Sequence, residues 1–258
     1  MKQKGNRLIV MLSMTLSLLG CVTTLKTNTT LTKDHDGGIN IGADGITLNC
    51  DGHAVNGSGS GNGIKLVVRT GVTIENCTVT NFDDGIQING SDNNRFTNNV
   101  THHNVQEGFD IEDSHTNTFT QNTSQENGRD GFDIEDSNNN LFTNNLATQN
   151  GTSGSGGNGI ELDNCSNNKF TENTLNENAQ HGVSLDGSSD NTFEGNGADN
   201  NTDRGFQIQT SDDNSFRNNN ASGNTEDANE ENSTGNEFCG NTFGTTDGIP
   251  AGFDDPCP

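Results

Sequence analysis

"EGFDIEDSHTNTFTQN" occupies residues 107–122 and "DGFDIEDSNNNLFTNN" residues 130–145, so one acidic phrase returns after 23 residues. The repeat extends in both directions. Gly85, Gly108, Gly131, Gly159, Gly182 and Gly205 are separated by 23, 23, 28, 23 and 23 residues, a solenoid period. Each Gly opens a short alternating run: IQI, FDI, FDI, IEL, VSL, FQI. Period-two alternation of this kind is a strand, with residues such as Phe109 and Ile111 facing inward and Asp110 and Glu112 outward. A second strand in each repeat is marked by Phe96, Phe119, Phe142, Phe170, Phe193 and Phe216.

Asparagine fills three further registers. One runs Asn94, Asn117, Asn140, Asn168, Asn191, Asn214; a second Asn99, Asn122, Asn145, Asn173, Asn196, Asn219; a third Asn104, Asn127, Asn150, Asn178, Asn201, Asn224. Asn tolerates left-handed backbone at turns, and its amide can hydrogen-bond to an identical residue stacked above or below, so these registers read as structural ladders. Coils of about 23 residues with three short strands and Asn at the corners predict a right-handed parallel β-helix, an all-β solenoid with neighbouring coils ~4.8 Å apart.

Composition agrees with a narrow core used repeatedly. The 258 residues are 26% hydrophobic, include no Trp or Tyr, and carry a formal charge of -24. Such values alone describe disordered chains, but disordered chains lack regular apolar spacing. Strong acidity also excludes nucleic acid as a partner, because phosphates would be repelled.

The sequence resembles the parallel β-helix repeat families, including NosD-type proteins and the pectin-lyase-like carbohydrate enzymes, from about Ile39 to Asn224. The phrases "GITLNCDGHAVNG" and "GVTIENCTVTNF" look like the irregular first coils of that family. After Asn224 the Gly-headed strand is expected to disappear, while Asn236, Phe238 and Asn241 keep the spacing for one last coil. The expected organisation is a signal peptide over 1–20, an N-terminal tether or cap over 21–38, the β-helix over 39–224, and a last coil with C-terminal cap over 225–258.

Lys2, Lys4 and Arg7 precede the apolar run "LIVMLSMTLSLLG", which reads as an export signal. "LSLLGC" looks like a bacterial lipobox, which implies cleavage before Cys21 and its lipidation; Leu19 is bulkier than the residue usual before the Gly. Ordinary secretion is the alternative. No later apolar stretch reaches the ~18 residues that cross a bilayer, so the only membrane attachment expected is the lipid. Removing residues 1–20 takes three basic groups and no acidic one, leaving 9 basic against 36 acidic and a charge of -27. The exported chain is expected to be a monomer. Cysteine usage fits an oxidising compartment, with disulfides expected between Cys239 and Cys257 around the cap and between Cys50 and Cys77 in the early coils. Cys165 stands in a register otherwise filled by Ser. No Cys-x-x-Cys or His-x-x-x-His spacing supports zinc or copper.

Two features carry candidate chemistry. Outward carboxylates stack into two columns on the Gly-headed sheet, one through Asp110, Asp133 and Glu161, the other through Glu112, Glu135, Asp163 and Asp186. Like charges ~5 Å apart repel by about 0.8 kcal/mol in water and about 3 kcal/mol at an effective dielectric of 20, so compensation is needed. Calcium bridging Asp110, Glu112, Asp133, Glu135, Glu161 and Asp163 can supply it, as can shared protons or high salt around a merely solvated face. Just before each Gly stands a more varied column: Asp84, Glu107, Asp130, Asn158, His181, Arg204. Carboxylate, imidazole and guanidinium on adjacent coils are the ingredients of acid/base chemistry or of gripping an anionic sugar.

That column also resembles, in part, the polygalacturonase-type glycosidases. "RDGFDI" (129–134) is similar to their Asn-Thr-Asp-Gly motif and "QHGVSL" (180–185) to their Gly-His-Gly motif, with Arg204 in the place of a substrate-binding Arg. The resemblance implies Asp130 as a catalytic carboxylate with His181 beside it, and Glu107 lies on the same column. The chain departs from the family where a paired Asp-Asp belongs, having Gly157 and Asn158, and it lacks the Arg-x-Lys pattern. No Trp or Tyr offers a stacking face for neutral sugar, so sugar contact is expected to be polar or cation-mediated. The loop "NGTSGSGGNG" (150–159) adds five residues beside Asn158, either a corner insertion or a lip over the acidic face. The sequence therefore predicts an exported surface protein binding cations and extracellular, acidic polysaccharide. The alternatives are a hydrolase, lyase or epimerase acting on uronate-rich glycans and a NosD-like accessory or structural protein.

Overall fold

The computed structural model describes residues 22–154 and 156–257. The expected signal peptide and the lipidated Cys21 lie outside the described residues. Parallel sheets stack along a right-handed solenoid, two of them running its length, and no helix occurs among the described residues. The first sheet has eleven strands, from Thr23–Leu25 to Thr246–Asp247, and includes every Gly-headed strand. A ten-stranded second sheet runs from Thr29–Thr30 to Glu237–Cys239, and a seven-stranded third from His35–Asp36 to Thr174–Asn176. Beyond Asn176 the third line thins to isolated bridges at Gly197, then resumes where Asn220–Ala221 pairs with Thr242–Phe243.

Register follows the sequence repeat. Phe109 pairs Phe132, Phe132 pairs Ile160, and Ile160 pairs Val183, so inward side chains stack on their counterparts one coil on. In the second sheet the Phe rings form a continuous pile. Phe119 and Phe142 have centroids 4.5 Å apart and Phe142 and Phe170 4.8 Å apart, in nearly parallel planes. A chain poor in apolar residues thus fills its core by placing the same side chain in the same place on each coil.

The Asn ladders hold the corners. The backbone N–H of Asn117 donates to Oδ1 of Asn140 at 2.8 Å, and that of Asn140 to Oδ1 of Asn168 at 2.8 Å. Asn140 Nδ2 in turn donates back to the Ser114 carbonyl at 2.9 Å. Each buried amide therefore closes backbone groups that the bend removes from the sheet ladders. The Gly that opens each repeat is required by crowding, because a Cβ on Gly131 would lie 2.8 Å from Ala147 Cβ and 2.6 Å from the Gly159 carbonyl. The cross-section is narrow enough at this corner that the first and third sheets leave no room for a side chain.

Strands extend toward both ends of the described residues. Residues 21–38 were expected to form a tether or cap, but Thr23–Leu25 pairs with Ile39–Ile41, Thr29–Thr30 with Thr47–Asn49, and His35–Asp36 with Ala54–Asn56. A coil therefore stands before Ile39, hidden from sequence because its inward positions lack the repeat's Phe and Asn. At the other end the heading Gly is lost while its strand continues into the last coil: Glu226–Glu231 pairs with Arg204–Gln209, with Asp227 in the Gly place. A side chain fits there because the Asp227 carboxylate accepts the N–H groups of Gly244 and Thr245 at 2.8 and 3.0 Å and fastens the closing segment. Cys50 is bonded to Cys77, and Cys239 to Cys257. Cys165 is free and buried in the Ser register, its thiol pushed up to about 12 by burial.

Candidate functional site

Strand alternation fails once per coil, and that failure builds the site. Gly131 and Phe132 are consecutive positions that both face inward, as the Cβ direction at Gly131 and the full burial of Phe132 show. Asp130 and Asp133 consequently emerge on the same outward side. The same step places Glu107 above Asp110 and Asn158 beside Glu161, whose Oε2 accepts from Asn158 Nδ2 at 3.2 Å. Two neighbouring columns result, a floor of Gln87, Asp110, Asp133, Glu161, Ser184 and Gln207 in register on the first sheet and a wall of Asp84, Glu107, Asp130, Asn158, His181 and Arg204 beside it; the acidic strip between them is termed the groove.

Oxygen atoms of Glu107, Asp130 and Asp133 lie within 4.8 Å of one another. Glu107 and Asp130 are only 6% and 7% exposed, which is rare for carboxylates. Burial, then the hydrogen-bonding carboxyl and charge of Asp84, push Glu107 up to about 8. Burial, then the charges of Asp130, Glu161 and Asp110, push Asp133 up to about 8 as well. Glu161 is pushed up to about 7, mainly by burial and then by Asp130. Burial also raises Asp110 and Asp130 above the usual carboxylate range. Asp84 extends the cluster, and its Oδ1 is buried without a hydrogen-bond partner. Arg129 provides partial compensation, its Nη1 3.6 Å from Glu107 Oε1. At neutral pH this group of carboxylates must either keep protons between its members or take up a cation.

The residues expected to bind calcium are not drawn to one point. Asp110, Asp133 and Glu161 are register neighbours on the groove floor and are half-buried, whereas Glu112 and Glu135 form an exposed outer row with the half-buried Asp163. Convergence occurs instead across the two features that the sequence presented separately, with wall residues Glu107 and Asp130 meeting floor residue Asp133. The spacing Asp-Gly-Phe-Asp, acid at i and i+3 around an inward pair, was the signal for it.

The residues expected to be catalytic do share the groove wall. Along it each side chain caps the next coil's backbone: Asp130 Oδ1 accepts from Asn158 N at 2.5 Å, Asn158 Oδ1 from His181 N at 3.0 Å, and His181 Nδ1 from Arg204 N at 3.3 Å. An Nδ1 that accepts leaves the ring proton on Nε2, and the Gln180 amide beside it, 3.2 Å away, must turn its oxygen to accept that proton. Burial pushes His181 down to about 4, so the ring is neutral, with its lone pair engaged in the backbone. Arg204 is held by Glu226 Oε2 at 3.0 Å and Asp203 Oδ2 at 3.4 Å. The inserted loop packs against the neighbouring corner, Ser153 Oγ donating to the Gly128 carbonyl at 2.6 Å.

Residues 16–155 match the family model described as the right-handed β-helix region. That match covers more than half of the sequence, and the chain belongs to this family. Residues 149–247 also match the model of NosD, described as a periplasmic copper-binding protein. Within those residues the only His is His181 and the cysteines are Cys165 and Cys239. His181 is engaged as above, Cys165 is buried and Cys239 is in a disulfide, so this stretch does not offer a copper donor set. No curated protein matches the sequence.

Among solved structures, the periplasmic alginate epimerase AlgG is similar at 17% identity and a TM-score of 0.57 over 72% of this chain and 46% of that one. The chain thus spans under half the length of that structure. The A-module of the Azotobacter vinelandii mannuronan C-5 epimerase AlgE4 gives 19% identity and a TM-score of 0.60 over 85% of this chain and 71% of that one. Pectate lyase Pel9A gives 17% identity and a TM-score of 0.50 over 86% and 69%. At these identities the likeness is one of fold.

Proposed function

We propose that this chain is an exported surface protein whose acidic groove holds calcium and, through the ion, binds acidic polysaccharide. The observation that carries this reading is the convergence of Glu107, Asp130 and Asp133 within 4.8 Å at the meeting of groove wall and floor. Three hard oxygen donors suit calcium, whose flexible coordination leaves further positions for water or for a sugar carboxylate. An anionic glycan would be repelled by the bare groove; a bound divalent ion offsets most of the charge of its three ligands and bridges them to a sugar carboxylate. Relatives in fold that carry the names alginate epimerase and pectate lyase support a uronate-rich partner. Export is supported by the N-terminal sequence and by the periplasmic relatives, with Cys21 the proposed lipid attachment point and the folded chain a monomer.

Calcium stabilisation tests the site. Calcium should raise the melting temperature of the mature protein by mass action, magnesium should do less because it demands a tighter octahedron, and sodium chloride of equal ionic strength should not reproduce the effect. Equal stabilisation by all three salts would leave only a screened acidic face.

The enzyme reading has one observation in its favour, namely Asp130, His181 and Arg204 along a single groove wall. It meets a difficulty in His181, whose lone pair is committed to Arg204 N and whose ring is 4% exposed. Retention of polysaccharide without chain shortening or epimerisation is the expected outcome; sugar products dependent on Asp130 would replace the binding role with catalysis.

A further inference from the structure

Outside the acidic groove, a second donor set lies at the corner that follows the third sheet. His102 ends the strand Val100–His102, and His103 turns out of it with a left-handed backbone at φ 53°. Adjacent residues of a strand point to opposite faces. The left-handed turn cancels that alternation and brings the two rings together, with their Nδ1 atoms 2.6 Å apart. Glu126, one coil further on, accepts from His103: its Oε2 lies 2.7 Å from His103 Nε2. A proton on Nε2 leaves His103 Nδ1 as a lone pair, so the N–H between the two rings belongs to His102. A carboxylate on the far nitrogen is the arrangement that orients a metal-binding histidine, and His103 Nδ1 becomes available once the His102 proton leaves.

We propose that His102 and His103 chelate one borderline divalent transition-metal ion, copper(II) or nickel(II), through their two Nδ1 atoms. The ion takes over the two nitrogens that now share a proton, seated to one side of the line between them. That proton leaves His102 Nδ1 and a solvent proton returns to His102 Nε2, so both rings stay neutral and no net proton is released. Two bonds of ~2.0 Å to nitrogens 2.6 Å apart subtend about 80° at the metal. This angle is close to the right angle of tetragonal copper(II) or nickel(II) and far from the tetrahedral angle preferred by zinc. Imidazole nitrogen likewise favours these ions over calcium or magnesium. His103 is exposed and His102 half-buried, so the open coordination positions face water, and both rings must turn for their Nδ1 lone pairs, which lie along the line between the nitrogens, to meet at one ion. The pair lies outside residues 149–247, and adjacent histidines are neither a Cys-x-x-Cys nor a His-x-x-x-His spacing.

Copper(II) titrated into the mature protein in excess calcium, followed by electron paramagnetic resonance, tests the site, since calcium occupies competing oxygen donors. One equivalent with superhyperfine coupling from two nitrogens is expected. His102→Ala and His103→Ala should each abolish the two-nitrogen signal with an unchanged melting temperature. Glu126→Gln should weaken binding by about tenfold or more by releasing the orienting carboxylate. Persistence of the two-nitrogen signal in either alanine variant would overturn the proposal, as would an all-oxygen signal in the unaltered protein.

Discussion

Replacing Asp133 with Asn should stabilise the calcium-free protein at pH 7 and leave it unchanged at pH 4. In the folded chain the Asp133 carboxyl is pushed up to about 8 from its usual 3.8, chiefly by burial and then by Asp130, Glu161 and Asp110. A raised carboxylate pKa means that the folded state binds a proton which the unfolded state has released. Its contribution to stability is intact below pH 3.8, falls as pH rises toward 8, and is constant above that. Each pH step of one in this window costs about 1.4 kcal/mol, so the ceiling at pH 7 is about 4 kcal/mol. Water reaching the half-buried carboxyl and proton exchange with its neighbours reduce this to about 1–3 kcal/mol. Urea unfolding in a chelator, followed by far-ultraviolet circular dichroism at both pH values, measures the difference. In calcium the order should reverse, because the wild type gains ligand binding that the Asn variant has weakened. An Asn variant that is no more stable than wild type at pH 7 without calcium, or that gains as much at pH 4, would refute the reasoning.

Two further outcomes follow from other parts of the molecule. Asn140→Leu should cost about 2–5 kcal/mol by thermal or urea unfolding, because it leaves the Asn117 N–H and the Ser114 carbonyl buried without partners. Cys21→Ala should move the protein from the membrane fraction to the soluble fraction of cells with its melting temperature unchanged, since the acyl chain is the only anchor proposed.

The solenoid was legible because its structural residues repeat: every coil must satisfy the same corner carbonyls and fill the same narrow core, so Asn140 and Phe142 have counterparts every 23 or 28 residues. Legibility failed where the physics was met by different residues. The first coil pairs through Thr23–Leu25 without the Phe or Asn markers, and Asp227 fills a Gly place by capping Gly244 and Thr245. In the candidate site, acidity and register were readable, whereas the meeting of Glu107, Asp130 and Asp133 left only the Asp-Gly-Phe-Asp spacing as its trace. It depends on two consecutive inward positions, which a strict period of two does not anticipate. The His102 and His103 pair was hidden for a similar reason, because a left-handed turn at His103 brings together side chains that alternation would separate.

Binding of a uronate polysaccharide by the mature protein, measured by titration in calcium and again in chelator, tests the central claim most directly. The account predicts binding in calcium, none in chelator, and loss of the calcium-dependent binding in Asp133→Asn. Equal binding with and without calcium, or calcium-dependent binding that survives Asp133→Asn together with Asp130→Asn, would contradict a cation held in the acidic groove as the link to the glycan.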